Sequence, residues 1–497
     1  MVEMHQKIII LGFDGANWDL IDPLIDRGEL PNFHELKERG AWGNVETDYL
    51  GSPEIWTAIF TGKDREKFGD PFFGIDRARL KARRIWEIAA GQGRRVGVLH
   101  PLLTWPPMET DGFVIPDIFA MGPETHPSRY EYFQKLYLSR HGGHLWQQAY
   151  YFLRSFLLTG GPDVAFSALR FLISTALRPH FLNTFRRRLE VVTRMDFRLF
   201  LKLYQRYEPQ ISAFHLHALD TVSHKFWQYQ NQPGPYSQVI GDLYRLTDHF
   251  LGRVMDLLDH NTSLIVLADH GFKEIKDERN KFELDVPMLR TLLKVGQELR
   301  AVRIGNAYVA NLASEVNNDK ALRMKDALAR TVFHDGTTVF VNVHKIDQNI
   351  HFRLTRRILE SIEPSSEEIF FDGQKPMRFG QLFHQKAFVD TGTHAAGRGI
   401  FAAYGRRFRS GVRLGKVNIF DITPTLLALL GLPLARDMDG TFDRRWFSDR
   451  ALDDLRPTEI DTYEEMDHGG EGPAKEMAFT DREVEDLEER LKMLGYL

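Results

Sequence analysis

Short apolar runs that each stop at a carboxylate recur along this chain. Lys7–Phe13 ends at Asp14-Gly15, Ile211–Leu219 reaches Asp220, and Ser263–Ala268 leads into Asp269-His270-Gly271. Continuous runs of this kind, with no polar alternation, are the pattern of parallel strands buried on both faces. Helical spacing fills the gaps. Trp18–Leu24 and Pro31–Arg39 predict a helix pair, Lys81–Gly91 a further helix, and Gly241–Asp259 an amphipathic helix with Leu243, Leu246, Phe250, Leu251, Val254, Leu257 and Leu258 on its apolar side. Shorter strands are predicted at Trp42–Thr47, Arg95–Leu99 and Gly399–Tyr404. Strand and helix in alternation predict an α/β sheet.

Two stretches break that rhythm. Residues 121–207 turn to long helical patterns rich in aromatic residues and arginine, including Arg186-Arg187-Arg188, and read as a helical insertion. Residues 276–388 mix short strands, at Val302–Ala313 and Thr338–Val343, with a helix at Asn318–Thr331, and read as a smaller α+β insertion. Residues 1–120, 208–275 and 389–445 are then three parts of one α/β core. Phe420–Leu430 in the last part is a core helix with Pro424 near its start, ended by Gly431-Leu432-Pro433. Residues 446–497 form an acidic tail, in which Thr480-x-x-Glu483 is a capping box that opens a terminal helix.

Composition narrows the chemistry. The chain has 497 residues, 43% of them hydrophobic, and a net charge of -4, which argues against a general nucleic-acid binder. From Asp453 onward 15 acidic and 5 basic side chains give -10, so the preceding chain carries +6. There is no cysteine, so disulfides, thiolate metal sites and cysteine nucleophiles are excluded, and any ligand set must use N and O donors. The first apolar run reads as a strand and not as a leader. No uncharged run approaches the roughly 18 residues of a membrane span; Phe152–Leu182 is interrupted by Arg154, Asp163, Arg170 and Arg178. A cytoplasmic protein is the expectation. The basic helical stretch fits a solvated cap, an anionic substrate or a lipid headgroup, so peripheral membrane contact stays open.

The strand-end carboxylates stand where ligands bind an open parallel sheet, outside the carboxyl ends of the strands. Asp220 and His224 are four apart, one helical turn, so both can face one point. With Asp14, Asp269, His270, His394 and the hydroxyl of Ser52 they supply seven N or O donors. That number suits two divalent ions with positions left for substrate and water. Ser52 lies between Gly51 and Pro53, at the N-cap of a predicted short helix, where backbone amides and the helix dipole favour an anion such as phosphate. His215 and His217 alternate along a strand and read as packed or supporting residues.

These motifs in this order resemble the alkaline phosphatase superfamily. Asp14 in Gly-Phe-Asp-Gly, the Ser52 segment ending in Thr61-Gly62, Asp220-x-x-x-His224, Asp269-His270-Gly271, Gly392-x-His394 and the Asp421-Ile-x-Pro-Thr425 helix are most similar to the type I phosphodiesterase/nucleotide pyrophosphatase family. The resemblance implies an alkaline-phosphatase-like doubly wound, mostly parallel sheet. It implies one metal site from Asp220, His224 and His394, a second from Asp14, Ser52, Asp269 and His270, and two divalent ions, zinc or manganese. Ser52 stands at the nucleophile's position. The implied reaction is hydrolysis of a phosphodiester or phosphoanhydride bond in a small-molecule, nucleotide, lipid or glycan substrate. The same scheme also serves a phosphoglycerate mutase-like isomerase, a phospho-group transferase acting on a glycan or lipid, or a non-catalytic binding protein on this fold. Phe68-Gly69-Asp70 replaces the family's His-Gly-Ile.

Overall fold

The computed structural model describes residues 6–465 except 50, 70, 72–76, 78–79, 140–144, 178–179, 276–281, 297–298, 305–306, 314–315, 347–348, 356–357, 359–366 and 386–390. The acidic tail beyond residue 465 and its terminal helix lie outside them. The described chain separates into two compact units, one from residues up to 273 and from 392 onward, the other from residues 274–391.

The first unit is built on eight strands: β1 (Lys7–Phe13), β2 (Ala41–Glu46), β3 (Val96–Leu99), β4 (Gly112–Ile115), β5 (Ile211–Leu216), β6 (Thr262–Leu267), β7 (Ile400–Tyr404) and β8 (Val412–Asn418). Their order is β8-β2-β7-β6-β1-β5-β3-β4. Only β7 runs against its neighbours; the other pairings are parallel. The sheet is mostly parallel, with helices between its strands, as the apolar runs predict. β1, β5 and β6 sit side by side at the centre, with Gly12 opposite both His215 and Leu267. Three parallel central strands therefore bring their three C-terminal ends to the same edge.

Two strands of this sheet have no counterpart in the sequence reading. β4 is four residues long, too short to show a period. β8 is an edge strand whose register shifts between Arg413 and Gly415, and its solvent-facing charges dilute the apolar signal.

The helical stretch resolves into helices Glu131–Leu138, Leu145–Thr159, Pro162–Leu177 and Phe181–Tyr207. The last of these packs on the sheet. Phe197 and Phe200 meet Phe214 of β5, and Phe250 of helix Val239–Met255 stacks on Phe197 at 4.0 Å. Aromatic pairs at such distances add about 0.5–1.5 kcal/mol each beyond the burial of their area.

The second unit carries a four-stranded antiparallel sheet in the order Phe340–Ile346, Asn349–Leu354, Ala307–Leu312, Leu299–Ile304, with helices Val286–Leu293 and Asn318–Ala329. Its own core includes Leu289, Tyr308, Leu328, Phe340 and Phe352. The single strand expected at Val302–Ala313 is instead two antiparallel strands with Ala307 opposite Ile304. Gly305-Asn306, a turn-forming pair, separates them in the sequence.

Candidate metal centre

Asp14 follows β1 directly, and its backbone N–H donates to the Leu216 carbonyl at 3.1 Å, continuing the pairing with β5 by one residue. Gly15 then turns with φ +73°, and a Cβ there would meet the Phe272 ring at 2.6 Å. Only glycine fits that turn. Its N–H donates to Asp269 Oδ1 at 3.4 Å, which ties the end of β1 to the residue beyond β6.

Ser52 is the first residue of helix Ser52–Thr61, and Gly51 takes the N-cap position without a side-chain cap bond. This corrects the sequence reading by one residue. The hydroxyl is thus released from capping and lies 3.3 Å from His270 Nε2. Pro53 has no N–H to leave unsatisfied, so it is tolerated in the first turn. Asp220 and His224 sit one turn apart on helix Ala218–Phe226, which starts just after β5. Asp220 therefore lies inside a helix and not at the strand end where the apolar run predicts it. His394 comes from the short strand Gly392–Ala395, which pairs with Gly271–Glu274 immediately after His270.

All seven predicted residues come together. Asp220 Oδ1 lies 3.2 Å from His394 Nε2, 3.4 Å from His224 Nε2 and 3.7 Å from His270 Nε2. His270 Nε2 is also 3.4 Å from Asp14 Oδ1 and 3.4 Å from Asp269 Oδ2. The His270 and His394 rings stack at 3.6 Å. Except for His394, which is partly open, every member is buried.

Three observations show that these residues fit divalent ions. Ligands of a tetrahedral site with bonds of 2.0–2.1 Å stand about 3.3 Å apart, which matches most of the spacings here. Neither oxygen of Asp220 makes a hydrogen bond to the described residues, an expensive state for a buried carboxylate unless a cation meets it. Finally, His224 Nδ1 and His270 Nδ1 face the carbonyls of Gly392 and Gly271, each at 3.0 Å. A carbonyl can only accept, so both rings keep a proton on Nδ1, which leaves Nε2, facing the cluster, as the nitrogen for a cation.

Charge is balanced unevenly across the cluster. Burial, then the Asp14 carboxylate beside it, pushes Asp269 up to about 7. Burial would also raise Asp220, but His224 and His394 outweigh it and hold that carboxyl well below the usual range. Two residues read as packed or supporting prove to be neighbours of Asp14. His215 Nε2 and His217 Nδ1 lie 3.2 and 3.3 Å from its Oδ2. Burial, then His217, holds His215 well below the ordinary histidine range. His217 rises despite its burial, because Asp14 bonds to it. Gly12 makes room for this arrangement, since a Cβ there would sit 2.8 Å from the Trp56 ring that packs on His215.

The family model for type I phosphodiesterase/nucleotide pyrophosphatase matches residues 8–364. No curated protein matches the chain in sequence. Among solved structures, murine ectonucleotide pyrophosphatase/phosphodiesterase 5, as an inactive variant in complex with AMP, is similar at 14% identity and a TM-score of 0.44, over 90% of this chain and 99% of that one. The same murine protein in a second structure is similar at 15% identity and a TM-score of 0.43, over 90% of this chain and all of that one.

Proposed function

This chain belongs to the type I phosphodiesterase/nucleotide pyrophosphatase family, and from that premise we propose that it is a two-metal hydrolase cleaving phosphodiester or phosphoanhydride bonds through a phosphoseryl intermediate on Ser52. The observation that carries this reading is the Ser52 hydroxyl, buried and aimed at His270 within a cluster of three aspartates and three inward-facing histidines. Asp14, Ser52, Asp269 and His270 would hold one ion, and Asp220, His224 and His394 the other. Zinc or manganese suits these N and O donors. Bound there, the pair would supply Lewis acidity that lowers the pKa of the serine hydroxyl and draws charge from phosphorus.

The chain's own groups perform the rest. Ser52 Oγ loses its proton and forms a bond to phosphorus while the bond to the leaving oxygen breaks, and that oxygen takes up a proton. Water then attacks the same phosphorus from the vacated side, the Oγ–P bond breaks, and Ser52 regains its proton as the phosphate product departs. First-turn amides of helix Ser52–Thr61 have no partner within the helix and would hold the nonbridging oxygens as charge shifts between them.

Ser52→Ala should lower turnover by several orders of magnitude, as loss of a nucleophile does elsewhere. Ser52→Thr, which keeps a hydroxyl, should retain measurable activity. Acid quenching during turnover should trap phosphate on the peptide containing Ser52, read by intact mass and peptide mapping. A fully active Ser52→Ala protein overturns the proposal.

A further inference from the structure

Among the described residues, ten large apolar side chains are strongly exposed, and nine of them fall between Trp146 and Phe181. On helix Leu145–Thr159 they are Trp146, Tyr150, Leu153 and Leu157, spaced four, three and four apart, with Trp146 67% and Leu157 71% exposed. On helix Pro162–Leu177 they are Phe166, Leu169, Leu172 and Ile173, again on one side. The inward sides are mixed, with Val164 buried beside three hydroxyl residues. Ser155, Thr159 and Ser167 are buried, and Ser155 Oγ donates to the Tyr132 carbonyl at 3.2 Å, Thr159 Oγ1 to the Ser155 carbonyl at 2.9 Å and Ser167 Oγ to Glu190 at 3.2 Å. A helix pair folded for water turns its leucines in and its serines out. This pair instead leaves eight large apolar side chains outside and buries three hydroxyl groups.

Positive charge accompanies the apolar face. Residues 145–188 contain Arg154, Arg170, Arg178, Arg186, Arg187 and Arg188 against a single acid, Asp163, and Asp163 is paired with Arg198 at 2.5 Å. A cavity of about 530 Å³ is lined by Arg170 of the second exposed helix, by Arg186, Arg187 and Arg194 of the next, and by Arg245, with Glu190 and Asp242 as its acids. Arg187 and Arg194 share Glu190 at 3.0 and 3.3 Å and Arg245 pairs with Asp242 at 2.6 Å, so five guanidinium groups meet two acids in the lining. Burial, then the neighbouring Arg187, pushes the Arg186 guanidinium down. Guanidinium groups clustered in a concave site are suited to phosphate oxygens. No helix is long and apolar enough to cross a membrane among the described residues, so these two helices can lie on a bilayer but not span one.

We propose that the helix pair Leu145–Thr159 and Pro162–Leu177 docks on an anionic lipid bilayer, its leucine and aromatic face entering the acyl boundary while the arginines of the adjoining cavity hold lipid phosphates. Tryptophan, tyrosine and leucine on one side with arginine nearby is the composition of interfacial helices. A second copy of the chain is the poorer occupant, because a two-fold contact through this face would bring its arginines against one another. The proposal is independent of the hydrolase reading, and its test needs no turnover.

The full-length protein should co-sediment with phosphatidylcholine vesicles containing phosphatidylglycerol, and less as salt is raised. Exchanging Leu153, Leu157, Phe166 and Leu169 for glutamine should lower partitioning about 100-fold. Arg186→Gln with Arg187→Gln should lower it about 30-fold on the anionic vesicles, with little change on pure phosphatidylcholine. The glutamine set replaces exposed side chains, so the thermal melting of the protein should be unchanged; a normal Tm with lost binding supports the proposal. Absence of binding by the unaltered protein to either vesicle overturns it. So does undiminished binding by both variant sets, or a vesicle-free dimer that the glutamine set converts to monomer.

Discussion

Asp269 shows how single residues set the conditions for metal loading. Its pKa rises to about 7 because burial and the Asp14 carboxylate both oppose its ionisation. A carboxyl must release its proton before it can ligate a cation. Between its ordinary range and about pH 7, the metal-free protein therefore holds a proton that the loaded protein does not. Metal affinity should fall as pH falls through this window, by about tenfold per unit for one proton released. The folded-state pKa lies above the unfolded value, so the native state binds the extra proton. This group's contribution makes the metal-free protein less stable as pH rises from about 4 to about 7. Calorimetric titration of zinc into stripped protein at pH 6 and 7, in buffers of different ionisation enthalpy, measures both the affinity and the proton count. Equal affinities and no proton release would exclude this role for Asp269.

Within the elements, the periods of strand and helix decide which side chains meet. His215 lies in β5, and His217 follows the strand's last residue as the cap of helix Ala218–Phe226; the two reach the same oxygen of Asp14 from these two elements. Their position holds one oxygen of Asp14 while the other faces His270. His217→Ala should lower metal affinity about 10- to 100-fold, the usual cost of losing a partner that orients a ligand, without removing a ligand from either proposed site. Metal-stoichiometry and affinity measurements on the variant check this, and wild-type affinity would show the histidine to be mere packing. The sequence places both His215 and His217 on one strand, but the strand stops at Leu216 and His217 caps the next helix; their shared target was not legible, because register between β1 and β5 is a tertiary fact. The carboxylates were legible for the opposite reason. Each follows an apolar run, and a parallel sheet carries the ends of its central strands to one edge whatever their order. Ser52 was one residue out as a helix cap, since Gly51-Ser52-Pro53 offers two cap-capable residues in succession and only the fold chooses between them.

Across the whole molecule, the distribution of cations bears on which phosphate ester fits. A monoester brings two negative charges to the centre and a diester one, so a monoesterase gains from an additional cation close to the nucleophile. The cations that follow helix Ser52–Thr61 are committed elsewhere: Lys63 pairs with Asp437 at 2.6 Å and Glu464 at 2.8 Å, and Arg65 with Glu54 at 2.8 Å. The arginine-rich surface instead gathers around helix Phe181–Tyr207, where its cavity meets Val222 on the helix that bears Asp220 and His224. Three buried aspartates meanwhile absorb much of the charge that two divalent ions would bring. The centre is therefore better matched to a singly charged phosphate group, and an aryl phosphodiester should be hydrolysed with a higher kcat/KM than the matching aryl monoester. Steady-state assays of both esters on the same metal-loaded preparation decide it, and a higher kcat/KM for the monoester would mean that a cation other than Lys63 or Arg65 reaches the phosphate.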